Sequence, residues 1–227
     1  TGGEPLVRAE LDKLVALLGS IKEIQDLTLT TNGYLLAQQA QALADAGLQR
    51  ITVSLDSLDD DIFRRMNGVG HGPDRVLEGI DKAVKVGLSP VKINAVVQRG
   101  VNDHTIIDLA RRFKGTNEVL RFIEFMDVGN RNGWSTTQVV SAKDIVARIH
   151  AEMPLEPVPP NYEGEVAQRY RYIDGGGEIG VIASVTQPFC GDCTRIRLSA
   201  DGSMYTCLFA SVGLDLKQAL RSGAPDQ

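Results

Sequence analysis

The sequence predicts an α/β fold: an incomplete TIM-like barrel followed by a C-terminal β-rich extension. Three observations predict it. Up to about residue 150, short β-branched runs alternate with amphipathic helical runs, the pattern of a parallel sheet with right-handed crossovers. Such strands number about four, with a fifth expected to end at Thr1, too few for an eight-stranded barrel. After residue 153 the texture changes, with Pro154, Pro157, Pro159 and Pro160 marking a connector and hairpin patterns beyond it. The expected units are therefore 1–153, the partial barrel lacking its first strands, and 154–227, the extension.

The elements follow in order. Val7, Leu11, Leu14, Val15 and Leu18 share one helical face, so a helix is expected over 7–18, ending near Gly19. A strand at 26–30 leads to a helix at 34–46, closed by Gly47. A strand at 50–55 is followed by a helix at 75–86, closed by Gly87. Strand 91–97, helix 103–113, strand 119–126 and helix 142–151 complete the series, with Ser141 placed to cap the last helix. In the extension, 166–173 and 178–184 read as a hairpin turning at Gly175-Gly176-Gly177. A second hairpin pairs 194–199 with 203–208 through Ala200-Asp201-Gly202.

Composition narrows the function. The 227 residues are 43% hydrophobic and 23% charged, an ordinary globular balance. The net charge is −5 with the cations dispersed, which disfavours a nucleic-acid binder. No apolar run has membrane-spanning length and no secretory signal opens the chain, so no membrane partner and a cytoplasmic location are expected. The first residue is Thr1, not Met, and it stands inside a Gly-rich motif. Upstream sequence is therefore expected to be missing.

Read at period two, one strand face carries Thr28, Thr30, Thr52, Ser54, Lys92, Asn94, Glu124 and Met126. The other carries Leu27, Leu29, Ile51, Val53, Val91 and Ile93 and suits burial under helices. The polar face is expected to line a wet cavity that holds a ligand. Lys92 on that face needs an anionic partner, and a substrate phosphate would serve. Thr30, Ser54 and Asp56 lie at strand C-terminal ends, where α/β folds bind ligands, although such residues also cap loops. Met126 also fits as core filler. Trp134 and the loop at 129–133 carry no assignable chemistry.

The cysteines are the sharpest signal. Cys190-Gly-Asp-Cys193 and Cys207 fall within the last 40 residues. A CxxC turn plus a third thiol from a return strand suits a metal centre. The residues alone leave an iron–sulfur cluster and a zinc site open, and both stand ahead of a redox CxxC. Zinc structural sites want a fourth ligand, and His71, His104 and His150 are all distant in sequence. With a three-residue loop and Gly202 left-handed, Cys207 pairs opposite Arg195, so Arg195 and Arg197 share the cysteines' face. They then form an anion clamp or a solvated strand edge.

Taken together, Thr1-Gly-Gly-Glu-Pro5, Thr30-Thr-Asn-Gly33, Val53-Ser-Leu-Asp-Ser-Leu-Asp59, Arg121-Phe-Ile-Glu-Phe-Met126 and the C-terminal CxxC with Cys207 and Arg-x-Arg resemble the GTP 3′,8-cyclases of the radical S-adenosylmethionine (SAM) superfamily. The likeness runs in order along essentially the whole chain. It implies SAM contacts at Gly3, Ser54 and Met126, and GTP contacts at Thr30, Lys92, Arg195, Ile196 and Arg197. It implies that Cys190, Cys193 and Cys207 hold a second 4Fe–4S cluster whose open iron meets the guanine.

The resemblance further implies conversion of GTP to (8S)-3′,8-cyclo-7,8-dihydroguanosine 5′-triphosphate, the first step of molybdenum cofactor biosynthesis. It also implies a homodimer and a hand-off to the cyclic pyranopterin monophosphate synthase. The family's CxxxCxxC for the first cluster, the Arg before the Thr-Gly-Gly-Glu-Pro motif and the Gly-Gly tail are absent from this sequence. This chain alone is therefore expected to be inactive, with that cluster supplied only by the full-length protein. Two other readings remain: a different radical SAM maturase with an auxiliary cluster, and a non-catalytic cluster- and GTP-binding module.

Overall fold

The computed structural model describes residues 2–128 and 133–223. Thr1 and most of the expected 129–133 loop lie outside the described residues. The N-terminal half runs α1 (Leu11–Gly19), β1 (Thr28–Thr31), α2 (Leu36–Asp45), β2 (Arg50–Ser54), α3 (Asp60–Asn67), α4 (Asp74–Lys85), β3 (Val91–Val97), α5 (Ile106–Phe113) and β4 (Val119–Glu124). The C-terminal half runs α6 (Ala142–Glu152), β5 (Leu155–Val158), β6 (Gln168–Tyr172), β7 (Glu178–Ile182), β8 (Arg197–Leu198), β9 (Ser203–Tyr205), β10 (Leu214–Asp215) and α7 (Leu216–Arg221).

Seven strands form one open sheet in the order β1-β2-β3-β4-β7-β6-β5. From β1 to β4, and from β4 to β7, the pairings are parallel. Strands β5 and β6 add an antiparallel edge. This is an α/β fold with a parallel-rich sheet, as the alternation of runs implies. The first expected hairpin forms as β6 and β7, but β7 docks beside β4 and so continues the main sheet. A second sheet, β10-β9-β8, carries the second hairpin.

Helices α1 and α3 differ from expectation, each for a local reason; α5 begins at Ile106 and not at 103, and α7 lies where no helix is expected. The helix expected from residue 7 begins at Leu11, because Pro5–Val7 forms a separate 3-10 turn. There the Glu4 side chain accepts the Leu6 N–H at 3.0 Å and caps it, and Pro5 occupies the first position. Helix α3 was not anticipated. It is short and highly charged, and it buries only Phe63, so it has no apolar period to detect. Its start is nonetheless encoded, since the Asp59 carboxylate accepts the Ile62 N–H at 2.9 Å. Helix α6 begins where Ser141 predicts, with the Ser141 hydroxyl accepting the Asp144 N–H at 3.1 Å.

The core lies between the sheet and its helices. Ile51, Val53, Ile93, Ala95, Leu120, Phe122 and Val181 face Leu36, Leu43, Ile80, Leu109, Ile145 and Ile149, all essentially buried. Each large side chain so buried contributes about 1.5–3 kcal/mol. Parallel register then sets the opposite, open face. Thr30 pairs with Thr52, Thr52 with Lys92, Ser54 with Asn94 and Asn94 with Arg121.

One residue of the expected polar face belongs elsewhere. Glu124 pairs with Val97 and lies on the helix side with Leu120 and Phe122, fully buried. Strand β4 ends at Glu124, so Met126 lies beyond it and is free of the strand's alternation. No helix among the described residues is long and apolar enough to cross a membrane.

Candidate functional site

The C-terminal end of β1 is organised by the Gly-Gly-Glu-Pro turn. The Glu4 carboxylate accepts the Thr31 hydroxyl at 2.6 Å and the Asn32 N–H at 2.7 Å. It thereby fixes the Thr30-Thr-Asn-Gly33 turn against the chain's start. Gly33 is required there: its φ is +78°, and a Cβ would stand 2.8 Å from methyls of Val53 and Val76. Gly3 (φ +72°) and Thr30 line a recess beside β1. Ser54 lines a second pocket with Asn32, Tyr34, Asp56, Asn67 and His71.

Asp56 sits at the back of that second pocket. Its carboxylate accepts the Val96 N–H at 2.8 Å, and its carbonyl accepts Asn102 Nδ2 at 2.8 Å. Burial pushes the Asp56 carboxyl up to about 6, only partly opposed by the Val96 hydrogen bond.

On the open face, three cations stand on three neighbouring strands: Arg50, Lys92 and Arg121. Arg50 pairs with Asp26, its Nε donating at 2.6 Å. Arg121 Nε donates to Asn94 Oδ1 at 2.9 Å and reaches Thr52 Oγ1 at 3.5 Å. Among the described residues, neither Lys92 nor Arg121 is in an ion pair. Burial, then the guanidiniums of Arg121 and Arg50, hold the Lys92 ammonium below the ordinary lysine range. Burial and Arg50 likewise lower Arg121. Lowered values on half-buried cations mark a site that an anion would relieve.

A third pocket holds Met126, Cys190, Cys193, Arg195, Arg197 and Cys207 with Ile123, Ile182 and Phe189. Cys190–Asp192 form a 3-10 turn, and the Cys193 N–H closes on the Cys190 carbonyl at 3.4 Å. The second hairpin brings Cys207 back. Arg197 pairs with Tyr205 and Leu198 with Met204, and Gly202 has φ +85°. The loop is therefore the three-residue one expected; pairing runs as far as Arg197 with Tyr205, and beyond it Arg195 and Cys207 both line the pocket.

Arg195 donates from Nε and Nη2 to Cys193 Sγ at 3.3 and 3.2 Å, and its guanidinium lies 4.9 Å over the Phe189 ring. The Arg195 backbone N–H and then its guanidinium hold the Cys193 thiol below its usual range. Arg197 Nη1 is buried with no hydrogen-bond partner. Ile196, between the two arginines, is 65% exposed and outside the pocket lining. All three cysteines are free. Among the described residues no set of three His, Cys, Asp or Glu side chains converges on a single ion.

The structure thus places the sequence's candidates in separate recesses. Met126, the cysteines, Arg195 and Arg197 share one, Gly3 and Thr30 a second, and Ser54 a third, with Lys92 on the open sheet face. Arg50, Arg121, Tyr34 and His71 were not singled out from the sequence. Arg121 had a usable signal: Leu120 and Phe122 are the apolar alternates of β4, which sends Arg121 to the open face.

Comparison with known proteins identifies the family. The family model described as Radical SAM superfamily matches residues 1–113, and that described as Molybdenum Cofactor Synthesis C matches residues 118–227. A GTP 3′,8-cyclase of Acidothermus cellulolyticus is 55% identical over 98% of this chain, which spans 61% of that protein's length. One of Xanthomonas axonopodis pv. citri is 56% identical over 99% of the chain, covering 67% of its own length. One of Staphylococcus carnosus is 51% identical over 100% of the chain, covering 66% of its own length. This chain therefore spans between three fifths and about two thirds of the relatives' length.

Proposed function

The chain belongs to the GTP 3′,8-cyclase family, and we propose that it furnishes the GTP-holding face and the second-cluster pocket of an enzyme converting GTP to (8S)-3′,8-cyclo-7,8-dihydroguanosine 5′-triphosphate in molybdenum cofactor biosynthesis. The observation that carries the proposal is the Lys92–Arg121 pair. These are half-buried cations without ion-pair partners among the described residues, on the side of the sheet that ends at the cysteine pocket. A triphosphate supplies several negative charges in one group to that pair, which a peptide does only where it carries carboxylates.

The residues divide the work. Thr30, Lys92 and Arg121 hold the phosphates, with Arg50 adding charge from the next strand. The buried, unpartnered Arg197 Nη1 offers a donor inside the cysteine pocket, and Arg195 stands beside it. With Ile196 between them these residues form the second GTP-contacting stretch. Gly3, Ser54 and Met126 take SAM. Cys190, Cys193 and Cys207 hold a 4Fe–4S cluster. Their donor set fits, because each thiolate binds its own iron and three leave one iron open to the guanine. Apolar walls at Ile123, Ile182 and Phe189 keep water from that ligand.

Bound SAM and the clusters supply the one-electron chemistry that side chains lack. The chain's own residues fix the ribose and the guanine relative to each other. On this reading the CxxxCxxC that holds the first cluster belongs to the whole protein, and these 227 residues alone are inactive. Residues 154–227 then act as a functional extension to 1–153. The whole protein's partners are GTP, a second copy and the cyclic pyranopterin monophosphate synthase that takes the product.

The test is iron and acid-labile sulfide after anaerobic reconstitution, with Cys207→Ala alongside. About four of each per chain, lost in the variant, supports the cluster. Tightly held zinc without sulfide overturns it, and with it the guanine-binding role of the three cysteines.

A further inference from the structure

The Ser54 pocket is covered by a strap that nothing above explains. Between α3 and α4 the chain crosses the pocket through Asn67, Val69 and His71, all of which line it. The strap is braced at its base. Asn67 Oδ1 accepts the N–H groups of Val69 at 2.9 Å and Gly70 at 3.1 Å, and Asn67 Nδ2 donates to the His71 carbonyl at 2.7 Å. Arg64, ion-paired with Asp60, donates to the Gly70 carbonyl.

At the strap's tip the His71 ring stacks on Tyr34, with centroids 3.8 Å apart and planes 13° from parallel. Tyr34 belongs to the turn after β1 and is itself held. Arg75 lies 4.8 Å over the Tyr34 ring and donates to the Tyr34 hydroxyl at 2.8 Å, while the Tyr34 backbone N–H donates to Asn32 Oδ1 at 3.0 Å. Asn32 in turn is fixed by Glu4. A continuous chain of contacts therefore runs from Glu4 through Asn32 and Tyr34 to the strap.

We propose that Tyr34 and His71 are positioning residues for the nucleoside of SAM, their stack latching residues 67–73 over the pocket that presents Asn32, Ser54 and Asp56. This rests on the reading that Ser54 contacts SAM. The latch stands on the β1 side of β2, away from Lys92 and Arg121 on β3 and β4, and Thr30, the remaining phosphate contact, is held in its turn by Glu4 through Thr31 and Asn32 and not by the stack. It therefore acts on the affinity for SAM and leaves that for GTP unchanged.

The experiment is calorimetric titration of the full chain with S-adenosylhomocysteine and, separately, with GTP. Loss of one aromatic stack in Tyr34→Ala or His71→Ala is expected to weaken S-adenosylhomocysteine about tenfold, and Tyr34→Phe, which keeps the ring, to restore it. GTP affinity is expected to be the same in all of them. Amide exchange over residues 67–73 is expected to quicken in both alanine variants.

If the unaltered chain binds S-adenosylhomocysteine and the alanine variants bind it equally well, the latch is overturned while the Ser54 reading stands. If the unaltered chain does not bind it, the Ser54 reading falls and the latch falls with it. Parallel loss of GTP affinity, or unchanged exchange over the strap, also overturns the proposal.

Discussion

The Glu124 carboxylate accepts the Val185 N–H at 2.8 Å, joining the end of β4 to the segment that leads from β7 to the cysteines. The same side chain accepts the Thr186 N–H at 2.8 Å, the Thr186 hydroxyl, and the Ala142 N–H at the start of α6 at 2.7 Å. It is fully buried, and without it the buried Ala142 N–H and the half-buried Val185 N–H would lose their acceptor, while the exposed Thr186 can turn to water. Glu124→Ala is expected to lose about 3 kcal/mol or more, because each unmet buried donor costs about 1–3 kcal/mol. The urea midpoint checks this. Glu124→Gln, which keeps one acceptor, should fall between the variant and the parent.

Asp56 gives the chain a pH dependence opposite in sign to that of most carboxylates. Its carboxyl is raised to about 6 in the folded state from an ordinary 3.8. The folded form therefore binds the proton more tightly, and stability falls as pH rises from about 4 to about 6. Above that window the burial cost of the charge is fully present. Asp56→Asn keeps an acceptor for Val96 and removes the charge. It is expected to be more stable than the parent by about 2–3 kcal/mol at pH 7, with the difference vanishing near pH 4. Urea midpoints for both proteins across that range decide it.

Lys92 sets stability against binding. Its neighbours Arg50 and Arg121 repel it in the absence of an anion. Lys92→Met is expected to stabilise the unliganded chain by about 0.5–1 kcal/mol and to weaken GTP about tenfold or more. Thermal unfolding and calorimetry on the same preparation read both effects. A variant that loses stability and keeps GTP affinity would remove Lys92 from the phosphate site.

Gly33→Ala tests the turn that carries Thr30. The left-handed backbone and the two valine methyls 2.8 Å from the new Cβ both oppose it. About 2–4 kcal/mol is expected to be lost, seen as a lower urea midpoint with an unchanged slope.

The sequence makes legible what is local and periodic. Strand 91–97 is bounded as expected because its alternation is uninterrupted, and α6 starts where Ser141 can cap it. The cysteine pocket is legible as chemistry, since CxxC and a returning thiol have few uses. What escaped is set by pairing at a distance. In β4 the alternation of Leu120 and Phe122 points Arg121 to the open face, but Glu124 shares their parity, and a carboxylate at that position reads as facing the cavity. The register with β3 decides it. The docking of β7 against β4 and the Tyr34–His71 stack across 37 positions likewise leave no short-range trace.

The seam between the two family matches, at residues 113 to 118, falls between two adjacent strands of one sheet. Strands β3 and β4 meet across it in six registered pairs, from Lys92 with Val119 to Val97 with Glu124. Neither half can then be excised as an autonomous module. A gene cut at that seam would hand each product a raw central strand edge, flanked by Ile93 and Leu120, in place of a finished surface. Such edges recruit other chains, so separately expressed halves should precipitate alone and recover solubility only when made together.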